Sequence, residues 1–102
     1  MPPEVIVFGD VTVDLRRVSV SRAGRPVSIE PKTFDVLRYL IANRDRLVTK
    51  EELLDNVWGY DATPVTRTVD VHVSSLRQKL ERNAAHPEFI LTVHRLGDKF
   101  AG

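Results

Sequence analysis

Thr66-Arg67-Thr68-Val69-Asp70-Val71-His72-Val73-Ser74-Ser75-Leu76-Arg77-Gln78-Lys79-Leu80 separates its apolar and polar residues when wound at 3.6 residues per turn. Val69, Val73, Leu76 and Leu80 fall on one stripe, which docks the helix on a core. The far side carries Arg67, Thr68, Val71, Ser74, Ser75 and Gln78, not the Glu/Lys lacing of a solvated helix. Hydroxyls, an amide, a guanidinium and a branched methyl pair match what base edges offer in a DNA major groove. The plainer alternative is a surface helix of a small α+β domain.

Upstream, Val5-Ile6-Val7-Phe8, Val11-Thr12-Val13-Asp14-Leu15, Val18-Ser19-Val20 and Val27-Ser28-Ile29 are β-rich runs, broken by turn signals at Gly9-Asp10 and at Arg22-Ala23-Gly24-Arg25-Pro26. They predict an antiparallel meander. Pro31 suits a first helical turn, with Glu30 at the positive end of its dipole; Phe34, Leu37, Leu40 and Ile41 continue at helical spacing to Asn43. Thr49-Lys50-Glu51-Glu52 is a capping box opening a short helix that buries Leu53, Leu54 and Val57, with Trp58 packed at its end. Residues 83–87 end the long helix, Phe89-Ile90-Leu91-Thr92-Val93 is a further strand, and Gly97 sits at a turn before a terminal strand near Lys99-Phe100. The expected fold is α+β, a winged helix-turn-helix: three helices, an N-terminal four-stranded antiparallel sheet and a C-terminal β-hairpin wing. Within one domain over 1–102, the sheet takes 1–29, the three-helix core 30–82 and the hairpin 88–101.

The chain has 102 residues, enough for one core but not two. Cys is absent, which excludes disulfides and thiolate metal sites. His72, His86 and His94 do not have metal-ligand spacing, so neither a metal nor any other cofactor is expected. Neither a glycine-rich phosphate loop nor a local nucleophile–base pattern is present, which argues against an enzyme. Apolar runs are short and the first residues are not a charged signal-peptide start, so the segment is expected to be cytoplasmic, without membrane contact. Net charge is only +1, but residues 1–65 hold nine Lys and Arg against ten Asp and Glu, whereas residues 66–102 hold six against four. The cationic excess lies with the candidate recognition helix.

The run from Leu37 to Leu80, including Leu47-Val48-Thr49-Lys50-Glu51-Glu52-Leu53-Leu54 and Val57-Trp58-Gly59-Tyr60, resembles the DNA-binding domain of OmpR/PhoB-type winged-helix transcription factors. The last helix with Phe89 to Val93 and the Gly97 hairpin does so too. The resemblance implies sequence-specific binding of double-stranded DNA, the helix at about 66–81 in the major groove, and head-to-tail subunits on direct repeats. It places base reading on Thr68, Val71, His72 and Ser75, and backbone contacts on Arg67, Ser74 and Arg77 with Thr92, Arg95 and Lys99 near the wing. It also gives the loop at 58–65 as a contact for RNA polymerase, against the alternative of a plain connector set by Gly59 and Pro64.

Two departures are visible. Relatives often carry Arg at Ser74 and Ser75, which implies modest affinity per subunit. Where relatives read Arg-Gly-x-Gly-Tyr, this chain has His94-Arg95-Leu96-Gly97-Asp98, expected to put a phosphate-repelling carboxylate on the wing with Leu96 packed back on the domain. Ile29 to Leu37 resembles the N-terminal domains of one-component ToxR/CadC-type regulators, some membrane-anchored, whereas Thr66 to Val73 resembles the output domains of two-component response regulators. Met1 with only Pro2-Pro3-Glu4 before the first run favours an N-terminal domain; an isolated C-terminal one reads the same. The competing function is a protein-binding winged helix with weak or no DNA binding.

Overall fold

The structure, a computed structural model, describes residues 4–59 and 65–102. Strands β1 (Val5–Phe8), β2 (Val11–Asp14), β3 (Ser19–Arg22) and β4 (Arg25–Val27) form the expected meander, in the order β1-β2-β3-β4. The third and fourth strands lie differently from the sequence reading. Ala23 and Gly24 both take positive φ, 51° and 78°, so a two-residue hairpin turn brings Arg22 opposite Arg25 and pulls both strands toward it. Val18, at φ 55°, belongs to the preceding turn, and Ser28 and Ile29 fall outside β4.

Alternation along the first strands sends Ile6, Phe8, Val11, Val13 and Val20 into the core. Helix α1 (Pro31–Ala42) starts with Pro at its first position and buries Phe34, Val36, Leu37, Leu40 and Ile41 in the same core. Helix α3 (Thr66–Leu80) adds Val69, Val73, Leu76 and Leu80, each at most 2% exposed. Burial of side chains this size contributes about 1.5–3 kcal/mol apiece. Phe8 meets Phe89 and Phe100 edge-on, both at 4.9 Å between ring centroids, joining the N-terminal sheet to the C-terminal hairpin.

Between α1 and α2 (Lys50–Leu53) lies a strand absent from the sequence reading, β5 (Val48–Thr49). It pairs antiparallel with β7 (Gly97–Phe100), which pairs on its other side with β6 (Ile90–Val93), so the hairpin is part of a three-stranded sheet ordered β5-β7-β6. Gly97 accordingly lies in a strand and not in a turn. A Cβ there would stand 2.0 Å from the Val48 carbonyl oxygen and 2.8 Å from Thr49 Cα. The turn itself is Val93 to Leu96, with His94 and Arg95 at φ 49° and 62°.

Thr49 Oγ1 accepts from the Glu52 amide at 3.0 Å, as the capping box requires. The helix continues past α2 as a π-helical turn, Leu54–Trp58, in which Leu54 and Val57 are half-buried, not buried as expected. The Glu52 carboxylate also accepts from Tyr39 Oη at 2.5 Å and from Arg46 at 2.6 Å. Arg46 first, then Tyr39, holds the Glu52 pKa down to about 2, and the same carboxylate raises that of Tyr39. A depressed carboxylate pKa stabilises the fold at pH above the unfolded-state value and ceases to do so as pH falls to the folded-state value. Glu52→Gln is therefore expected to cost on the order of 1 kcal/mol at pH 7, because the half-exposed Arg46 is screened by solvent. The cost should shrink as pH falls from about 4.5 to about 2. Urea titrations across that range check it; a constant gap between wild type and variant would show that the carboxylate charge contributes nothing.

Candidate nucleic-acid interface

The apolar stripe of α3 fixes which of its residues face outward. Arg67, Val71, Ser74 and Gln78 are exposed, with Val71 61% accessible, and Thr68 and Ser75 are half-buried beside them. Arg67, Val71, Ser74, Ser75 and Gln78 share one shallow surface depression with Asp70, whose charge is paired with Lys50 at 3.0 Å. Arg67 makes no ion pair among the described residues. The helix thus presents donors, an acceptor set and one apolar group along a groove-length face.

His72 lies to one side of this face. Its Nδ1 is 2.6 Å from Thr33 Oγ1 in α1, and its ring lies 5.3 Å from that of Trp58. Thr33 is almost fully buried, so this bond satisfies its hydroxyl. Trp58, expected to be buried, is half-buried, with Lys32 Nζ 5.8 Å from its ring. The remainder of the 58–65 loop falls mostly outside the described residues.

Arg77 differs most from its expected role among the backbone-contact residues. Its guanidinium donates to the Ile90 carbonyl at 2.9 Å and to Thr92 Oγ1 at 2.8 Å, and pairs with Asp98 Oδ1 at 3.2 Å. Thr92 also donates to Asp98. Arg77 and Thr92 are thereby engaged within the domain. The expectation of an exposed wing carboxylate is corrected: Asp98 is 4% accessible and points inward. Burial pushes its pKa up, opposed chiefly by the charge of Arg77. Leu96, expected to pack back, is 59% exposed. Beside it at the hairpin tip, Arg95 is exposed in a backbone conformation that glycine adopts more readily, while Lys99 is half-buried on β7.

Sequence reading missed Glu81. At the end of α3 the chain becomes extended, and the Glu81 carboxylate turns back to accept from the amides of Glu88, Phe89 and Ile90 at 2.8–3.2 Å. That fixes where β6 begins. Its only local signal is an acidic residue at the unfavourable end of a helix, where the macrodipole disfavours it.

A docked helix with a polar outward face, preceded by two helical segments and followed by a hairpin, defines a winged helix-turn-helix of the DNA-binding type. The chain belongs to the family described as transcriptional regulatory protein, C terminal, which it matches over residues 24–100; this is the OmpR/PhoB-type DNA-binding domain. It is 43% identical over 98 residues to the sensory transduction protein RegX3 of Mycolicibacterium smegmatis, covering 96% of this chain and 43% of that protein. To the DNA-binding response regulator MtrA of the same organism it is 39% identical over 98 residues, covering 96% and 43%. The chain spans less than half the length of these relatives. Among solved structures it is similar to the response regulator DrrB of Thermotoga maritima, with a TM-score of 0.89 at 27% identity over 97% of this chain and 45% of that one. The RstA DNA-binding domain of Klebsiella pneumoniae, solved in complex with the RstA box, gives 0.81 at 36% identity over 97% and 98%. No described helix is long and apolar enough to cross a membrane.

Proposed function

We propose that this chain binds double-stranded DNA sequence-specifically and regulates transcription, with α3 in the major groove and the hairpin tip on the adjoining backbone or minor groove. The observation that carries the reading is the outward face of α3, whose exposed Arg67, Val71, Ser74 and Gln78 lie opposite a fully buried stripe. A relative of 36% identity solved with its DNA box supports it. Thr68, Val71 and Ser75 read base edges, Val71 against a thymine methyl, and His72 reaches them from the flank held by Thr33. Arg67 and Ser74 take phosphates, joined by Arg95 and Lys99 from the wing. With so few free cations, a single copy binds modestly and two copies bind head to tail on a direct repeat. The family resemblance makes the segment 58–65 a candidate contact for RNA polymerase, with a plain connector as the alternative.

Selection of bound sequences from a random duplex pool tests this reading, and two half-sites in the same orientation are the expected outcome. Arg67→Ala should weaken all duplexes by a similar factor and flatten the dependence of log affinity on log salt by about one unit. Titrations at several salt concentrations check it; a changed base preference with the slope intact would make Arg67 a base reader. The exposed Val71 and Leu96 are what a protein-binding alternative would use, and it predicts almost no salt dependence on random duplex.

A further inference from the structure

Arg77 projects from the last turn of α3, and its three partners lie in the C-terminal sheet. Thr92 and Asp98 sit directly opposite each other on β6 and β7, and Asp98 is also opposite Val48 in β5. One guanidinium therefore ties the candidate recognition helix to both strands of the hairpin, two residues from the turn that carries His94 and Arg95. The Asp98 side chain is 5% accessible and that of Arg77 19%, so the pair is largely removed from water. A buried ion pair adds little net stability over an apolar pair of the same shape, but its fixed geometry restricts the elements it joins. The planar fork of Arg meets three acceptors at once, which a Lys ammonium on a flexible stem cannot hold in the same arrangement.

We propose that Asp98 is a positioning residue for the DNA contact: by holding Arg77 as a brace between α3 and the hairpin, it sets the position of the Arg95 tip relative to the helix in the major groove. Arg77 itself then makes no phosphate contact. The inference rests on the DNA-binding reading above. It differs from a merely structural role because Asp98 and Arg77 act on affinity through Arg95, and their effects must vanish where Arg95 is absent.

The test is a set of double-mutant cycles on a duplex taken from the selection experiment, at one fixed salt concentration and a temperature at which every variant is folded. Arg95→Ala should weaken binding about tenfold, consistent with the loss of one charge-assisted contact. Arg77→Gln and Asp98→Asn should each weaken it by about the same factor in the wild-type background, and less than twofold beside Arg95→Ala. Arg67→Ala should weaken both backgrounds equally. Arg77→Lys keeps a counter-charge for Asp98 and so preserves the fold, and it should behave as Arg77→Gln does. Equal losses from Arg77→Gln in both backgrounds, with a further unit off the salt slope, would make Arg77 a phosphate contact and overturn the proposal. So would an Arg95→Ala protein that binds as tightly as wild type, or an Asp98→Asn protein with unchanged affinity. A wild-type chain without salt-dependent binding to any duplex overturns the DNA reading and this proposal together, whereas unchanged variants of a wild type that binds overturn the proposal alone.

Discussion

Glu81→Ala is expected to destabilise the domain by about 3–5 kcal/mol, since it removes a charged acceptor from three backbone amides at once. Glu81 is 2% accessible and Ile90 fully buried, so water replaces the carboxylate only at the Glu88 end. The site is also topological: it is where the chain leaving α3 is returned to start β6, the first strand of the wing. A loss of that size lowers the melting temperature of a domain this small by roughly 15–30 °C. Glu81→Gln keeps one carbonyl acceptor and should cost less than half as much. Urea unfolding of the three proteins checks the ordering, and a loss below about 1 kcal/mol for Glu81→Ala would show that the amides find other partners.

Gly97→Ala is expected to cost about 3 kcal/mol, at the upper end for an added methyl group in a packed site. The reason is the identity of the atoms met. A flexible side chain could swing away, but the new Cβ would overlap the Val48 carbonyl oxygen and approach Thr49 Cα, both backbone. Relief requires β5 to move off β7, breaking the pairing of Val48 with Asp98 and Thr49 with Gly97. Thr49 caps α2, so the displacement also reaches the helix beside α3. Amide exchange should accelerate at residues 48–50 and 97–98 before it does within α3. Exchange that accelerates uniformly would mean that the methyl group is accommodated by a general loosening and not by release of β5.

The parts of the fold that sequence made legible are those whose signal is local. Val69, Val73, Leu76 and Leu80 are spaced at the helical period, and the structure buries all four. The β-rich runs and the turn signals between them gave the meander, whose inner face the structure assigns to Ile6, Phe8, Val11 and Val13, and Thr49 three residues before Glu52 gave the start of α2. The same periodicity put Arg67, Thr68, Val71, Ser74, Ser75 and Gln78 on the outward face of α3, because a residue's side of a helix follows from its position along it; the structure exposes four of them and leaves Thr68 and Ser75 half-buried.

Other features depended on what a residue meets across the fold. Thr33 and His72 are 39 residues apart, and Arg77 and Asp98 are 21 apart. Nothing within a few residues of either marks the pairing. Asp98 reads from sequence as a charge on a solvated wing; the register of β7 between β5 and β6 turns it inward, where Arg77 is available. Val48-Thr49 is too short to show a strand period, and it becomes a strand only because Gly97 lets it approach. Sequence by itself determined where the helices lie, which face of α1 and of α3 is apolar, and hence the winged-helix class and the candidate DNA-facing surface. Tertiary structure alone decided which charges on that surface are free and which are held inside, because pairing depends on the distance between chain segments and the exclusion of water between them.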